Sequence, residues 1–221
     1  MNLNSDKSAI SSLDIPETLG LLQNIRPDML LLRIVAKSLV FWEEVDATND
    51  WVESQIPNII HDLYAYLEES SNIASLSGIV AMDFDLDNTG VGKNIDQKNK
   101  AFKVDRNIFD NDVDKQAIRQ IYAYLVAGAC FTLGLRFAGT GNSNAASIVL
   151  KKLEFFQEMR DGSNSHAIAR RPERPLLEMC VSCTSVSLAM IMAGTGDLDA
   201  LRILRELYCK YESEVRDMII S

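Results

Sequence analysis

Positive charge is in short supply. The 221 residues carry 22 Lys and Arg against 31 Asp and Glu, a net charge of −9. A nucleic-acid binder needs the opposite surplus to displace counterions from phosphates, so nucleic acid is not an expected partner. Histidine is scarcer still: His61 and His166 stand alone, neither near a nucleophile motif, and no catalytic triad or His-based metal site is expected. Aromatic residues make up only 7%, thin for sheet-on-sheet packing, and 11 Gly with 5 Pro leave few turns. Together these shortages point to an all-α chain. The start of the sequence is polar and lacks the apolar run of a secretory signal. Four cysteines (Cys130, Cys180, Cys183, Cys209) sit in a chain long enough to build a core without disulfides. The expected setting is therefore reducing and intracellular.

What is present is ordinary globular material, 47% apolar and 24% charged. One run, Met179 to Gly196, is uncharged over 18 residues and just reaches bilayer length. It holds Ser182, Thr184, Ser185, Ser187 and Thr195, and a buried helix with no membrane partner is the better reading. Residues 1–26 read as a polar leader with a short helix begun at Asp14-Ile15-Pro16-Glu17. Residues 27–82 read as helical: one helix to about Glu44 with Leu31, Ile34, Val35, Leu39 and Trp42 on one face, a turn capped by Thr48, and another opened by Pro57. Residues 83–113 are rich in aspartate and read as a linker loop. Residues 114–221 then hold a long helix capped by Asp112 or Asp114 and running to about Ala138, a polar loop from Asp161 to Pro175, and two more helices. The last of these suggests a Glu206–Lys210 pair at i,i+4.

The informative feature is an internal repeat. Ala127–Leu150 aligned without gaps on Ser182–Arg205 matches at seven of 24 positions, including Ala138/Ala193, Gly139/Gly194, Thr140/Thr195 and Gly141/Gly196. Asn142 faces Asp197. Glycine just past a helix end accommodates positive φ, the second glycine lets the chain reverse, and Asn142 or Asp197 caps the next helix. So short a connection makes two adjacent antiparallel helices. The first helix of each unit also carries small residues on one face: Ala127, Cys130, Gly134 and Ala138, matched by Ser182, Ser185, Ala189 and Ala193. Small side chains allow close axial approach, and a helix apolar nearly all round is covered on both sides. Two units cannot cover such helices alone, which implies neighbours.

The runs from Ala127 to Asn142 and from Ser187 to Asp197, with the upstream Trp42-Glu43-Glu44-Val45 and Trp51-Val52-Glu53-Ser54-Gln55-Ile56-Pro57, resemble proteasome/cyclosome repeat proteins. That family includes the large non-ATPase subunits of the proteasome regulatory particle and the large-subunit scaffold of the anaphase-promoting complex, and the wording here is closer to the cyclosome branch. The resemblance implies tandem helix-turn-helix repeats in an α-solenoid or toroid. It also implies a non-catalytic role in a cell-cycle ubiquitin ligase, holding substrate-receptor and catalytic modules in place, with the other subunits of that complex as partners. No cofactor and no small-molecule substrate are expected. The short length further implies a fragment. A proteasome scaffold is the alternative.

Other motifs have duller readings. Asp83-x-Asp85-x-Asp87 suggests a metal loop and, as a second alternative, an all-α metal-dependent enzyme. An EF-hand needs Gly at position six and Glu at twelve, where Asn88 and Asn94 stand. Cys180-x-x-Cys183 lacks a second Cys/His pair at zinc spacing and reads as packing. Gly139-Thr140-Gly141 and Gly194-Thr195-Gly196 follow helices rather than strands, unlike dinucleotide loops. Arg170, Arg171 and Arg174 could meet an acidic partner or a phosphorylated Ser163 or Ser165, but a charged loop is the simpler expectation.

Overall fold

A computed structural model describes residues 13–67 (apart from 19, 21 and 23), 114–162 and 172–220, the last ten for their backbone only. Its elements are α1 (Pro27–Val40), a 3-10 turn (Trp42–Glu44), α2 (Asn49–Ser54), α3 (58–67), α4 (Lys115–Arg136), α5 (Ser143–Asp161), α6 (Arg174–Met192) and α7 (Leu198–Ile220). Among the described residues there is no strand, and the fold is all-α as the composition implied.

Helix starts follow side-chain chemistry. Asp114 accepts from the amides of Gln116 and Ala117 and so begins α4, while Thr48 accepts from Trp51 and begins α2. Pro27 and Pro175 occupy first-turn positions of α1 and α6, where a missing N–H costs nothing. The short helix expected from Asp14–Glu17 begins later: 14–18 are not helical, and helical backbone is found at Gly20 and Leu22. Asp14 is engaged elsewhere: its carboxylate takes the Lys37 ammonium at 2.6 Å and its carbonyl accepts from Arg33, which straps the segment across α1. The first long helix stops at Val40 rather than near Glu44. Phe41 leaves helical geometry (φ −97°, ψ 48°) and a 3-10 turn follows.

Helix α4 is the centre. Ile118, Ile121, Leu125, Val126, Ala127, Cys130 and Leu133 are all buried, and no charged side chain interrupts residues 120–135. Such all-round apolarity requires cover on several sides, and α1, α5 and α6 supply it. Helices α1, α4 and α6 run parallel in one row. Gly128 approaches Leu31 while Arg136, further along, reaches Glu43, so α1 and α4 advance together. Ala123 pairs with Cys180, Ala127 with Cys183, Gly134 with Ser187 and Gly139 with Met190, so α4 and α6 do too. After each short turn α5 and α7 return antiparallel as an outer layer. Lys152 to Glu53 (3.2 Å) ties α5 to α2, and Lys210 to Asp161 (2.5 Å) ties α7 to α5. Lys210 thus reaches Asp161 of α5, beyond the Glu206 of its own helix that spacing suggested.

Residues 27–67 therefore do more than lead into the repeated units. Tyr64 of α3 stacks on Tyr122 of α4 (centroids 3.9 Å apart, planes 8° apart), and Leu63 and Leu67 gather around Ile118. With α1 against α4, this segment forms the first layer of the same stack. Both α4 and α6 are long and apolar enough to cross a membrane by length and composition. The hydroxyls in them are satisfied locally: Thr132 donates to Gly128 O, Thr184 to Cys180 O, Ser185 to Val181 O and Ser187 to Cys183 O. Polar yet compact side chains thus enter the helix contacts without orphaned groups.

Candidate functional site

The two glycine-threonine-glycine turns are near-copies. Gly139 and Gly141 have φ +67° and +62°, and Gly194 and Gly196 have +79° and +70°. Both glycines in each turn occupy the left-handed region, which costs an L side chain about 1–2 kcal/mol. The threonine between them has a structural job that spacing alone did not reveal. Thr140 Oγ1 donates to Phe137 O at 2.7 Å and accepts from the Asn142 amide at 3.2 Å. Thr195 Oγ1 donates to Met192 O at 2.7 Å and accepts from the Asp197 amide at 3.2 Å. The hydroxyl thereby links the end of one helix to the start of the next. Asn142 then caps α5 through Ala145 (3.0 Å), and Asp197 caps α7 through Ala200 (2.8 Å).

The turns also join hairpin to hairpin. Gly139 N–H donates to Met190 O (2.8 Å) and Gly141 N–H to Ile191 O (3.0 Å). These carbonyls belong to the last turn of α6, where helix carbonyls run short of partners; Met190 O otherwise receives only the Ala193 amide, at 3.4 Å. The turn after α4 is thus the C-terminal cap of α6. A Cβ on Gly141 would meet Thr195 Cγ2 at 2.8 Å, so the second turn lies directly against the first. Gly194 and Gly196 have nothing within 4 Å of such a Cβ, and their amides have no acceptor among the described residues.

Small residues set the helix spacing. A Cβ on Gly134 would stand 2.7 Å from Ser187 Cα, and one on Gly128 would stand 3.1 Å from Leu31 Cα, so α4 touches the backbone of a neighbour on either side. Ala127, Cys130 and Gly134 are buried here, while Ala138 lies exposed beyond the helix end. The matching residues of α6 differ from expectation. Ser182, Ala189 and Ala193 are exposed and Ser185 is half-buried. α6 meets α4 through Cys180, Cys183 and Ser187 instead, because its other flank has no helix beyond it among the described residues.

The cysteines serve this packing. Cys180 and Cys183 donate weakly to the carbonyls of Ala123 and Ala127 at 3.8 and 3.7 Å. Burial pushes the Cys130 thiol up to about 12 and Cys183 to about 11, and raises Cys180 as well. Among the described residues no group of three or more His, Cys, Asp or Glu could hold a metal ion. Arg174 pairs with Glu178 at 3.0 Å along its own helix. Asp83, Asp85, Asp87, Ser163, Ser165, His166, Arg170 and Arg171 lie outside the described residues.

Parallel helices joined by interlocked turns define a packing module of helical hairpins. The sequence matches the family model of the APC1 fifth domain over residues 1–216, and the chain belongs to that family. It is 31% identical over 215 residues to anaphase-promoting complex subunit 1 of Arabidopsis thaliana, covering 94% of this chain and 11% of that protein. The subunit 1 of Schizosaccharomyces pombe is 32% identical over 212 residues (94% and 11%), and that of Homo sapiens 29% over 211 (96% and 9%). The chain therefore spans about a tenth of the length of these curated relatives. Of the two branches in the resemblance, the family is that of the cyclosome.

Proposed function

We propose that this chain is a rigid section of the scaffold of the anaphase-promoting complex, the ubiquitin ligase that drives cell division, and that it performs no chemistry itself. The observation that carries this reading is the turn-to-helix bonding between hairpins, Gly139 to Met190 and Gly141 to Ile191. The first hairpin completes the backbone hydrogen bonding of the second, so the two move together. A rigid spacer holds the modules attached to it at a fixed separation and so sets their effective concentration for one another. Its partners are the other subunits of that complex, its setting the nucleus and cytoplasm, and its hairpins are repeats of the proteasome/cyclosome kind. Affinity purification of the tagged natural protein from dividing cells tests this. Recovery of the complex's cullin and RING subunits is the expected outcome, and recovery of proteasome subunits in their place would overturn it.

A further inference from the structure

Between the outer helices α5 and α7 lies an open groove of about 590 Å³. Its floor is Leu150 of α5 with Ile203 and Leu207 of α7, half-buried side chains that rest on the core. Its rim carries Glu154 and Glu158 from α5 and Glu206 from α7, all exposed and without an ion-pair partner among the described residues. The Lys210 ammonium beside them is taken by Asp161. Walls and floor alike belong to the two interlocked hairpins, so the groove is a property of that pair and not of an end of the row.

The chemistry of these walls narrows what fits. Three like charges set along a trough repel one another and favour opposite charge brought between them. They do not converge on a point, since no group of three or more His, Cys, Asp or Glu among the described residues could hold a metal ion. A distributed cation answers them, and the aliphatic floor asks for apolar side chains on the same molecule. Nucleic acid and anionic lipid carry the wrong sign. An extended peptide would lay bare backbone N–H and C=O groups against helices whose own backbone bonds are already made. A helix brings its backbone satisfied.

We propose that the groove between α5 and α7 receives a basic amphipathic helix of a partner protein. Apolar residues at helical spacing on that helix lie on Leu150, Ile203 and Leu207, and its flanking Lys and Arg meet Glu154, Glu158 and Glu206. The net charge of −9 draws such a segment from a distance, and the three carboxylates fix where it comes to rest.

Photo-crosslinking in the full-length natural protein tests this. A benzophenone amino acid takes the place of Gln157, which lines the groove between Glu154 and Glu158, and the protein is irradiated in its own cells. The peptide attached to it is then sequenced. The expected product is a segment of another protein with Lys or Arg flanking apolar residues at helical spacing. Charge reversal by Glu154→Lys with Glu158→Lys, both at exposed positions, should cut the yield by about tenfold. Glu206→Gln, a change too small to unfold the chain, should lower it part-way. Glu17→Lys with Glu44→Lys, exposed positions outside the groove, should leave it unchanged. A cross-link into this same chain or a second copy of it, into a neutral or acidic segment, or into nothing overturns the proposal. So does a yield that ignores the groove substitutions or falls equally with the outside pair.

Discussion

At the scale of single residues, the glycine turns separate two costs that usually arrive together. Gly141 and Gly196 share a positive φ, but only Gly141 has a neighbour, Thr195 Cγ2, where its Cβ would go. Alanine at Gly196 should cost about 1–2 kcal/mol from backbone strain alone, and alanine at Gly141 distinctly more. Urea denaturation of both variants measures the gap, and adding Thr195→Ser to Gly141→Ala should narrow it by removing the offending methyl while keeping the hydroxyl. Thiol chemistry gives a second prediction. With Cys130 and Cys183 raised to about 12 and 11 by burial, and Cys180 raised too, iodoacetamide at pH 8 should modify the native chain only at exposed Cys209. Mass spectrometry should find one adduct, and four only after denaturation. Positive φ and the Asx caps were legible in the sequence, because glycine and short polar side chains advertise them. The threonine bridge was not. A hydroxyl between two glycines has no distinctive spacing, and its partners are backbone atoms fixed only once the turn exists.

At the scale of elements, the close approach of α4 to α6 depends on Gly134. Gly134→Ala places a methyl 2.7 Å from Ser187 Cα, a backbone atom that cannot swing aside. Overpacking of this kind costs about 1–3 kcal/mol, more than the ~1 kcal/mol that alanine gains over glycine in a helix. Thermal unfolding should therefore show a lower Tm, with a smaller loss for Gly128→Ala, whose Cβ meets Leu31 at 3.1 Å. The outer helix α7 is tethered through Asp161. Burial opposes ionisation of that carboxyl, but hydrogen bonds from Arg160 and Lys210 outweigh it and hold it below the usual carboxylate range. A carboxyl depressed in the folded state contributes above its unfolded value and loses that contribution as pH falls through the depressed one. Asp161→Asn should speed amide exchange across 198–210 at pH 7 and make no difference in acid below the carboxylate range. Helical periodicity made the elements readable. Which flank of α6 faces α4 was not readable, because small residues line both flanks and only the third dimension assigns them.

At the scale of the whole molecule, the repeat was visible as two units, yet the described residues contain three parallel layers. The first escaped notice because α1 shares only its packing positions with α4: Ser38 where α4 has Gly134, and Leu31 where α4 has Ala127. Its return path is also broken into a 3-10 turn, α2 and α3 instead of one helix. Removing residues 1–67 should therefore expose the Gly128 side of α4 and leave a chain that binds hydrophobic dyes and unfolds without a sharp transition, measured by fluorescence and calorimetry.

The dependence of α6 on the turn before it gives the molecule a sense of time as well as direction. The donors at Gly139 and Gly141 leave the ribosome some fifty residues ahead of the acceptors at Met190 and Ile191. The turn after α4 can thus be in place as a template when the end of α6 is synthesised, and assembly of these two hairpins can proceed from the N-terminal one onward.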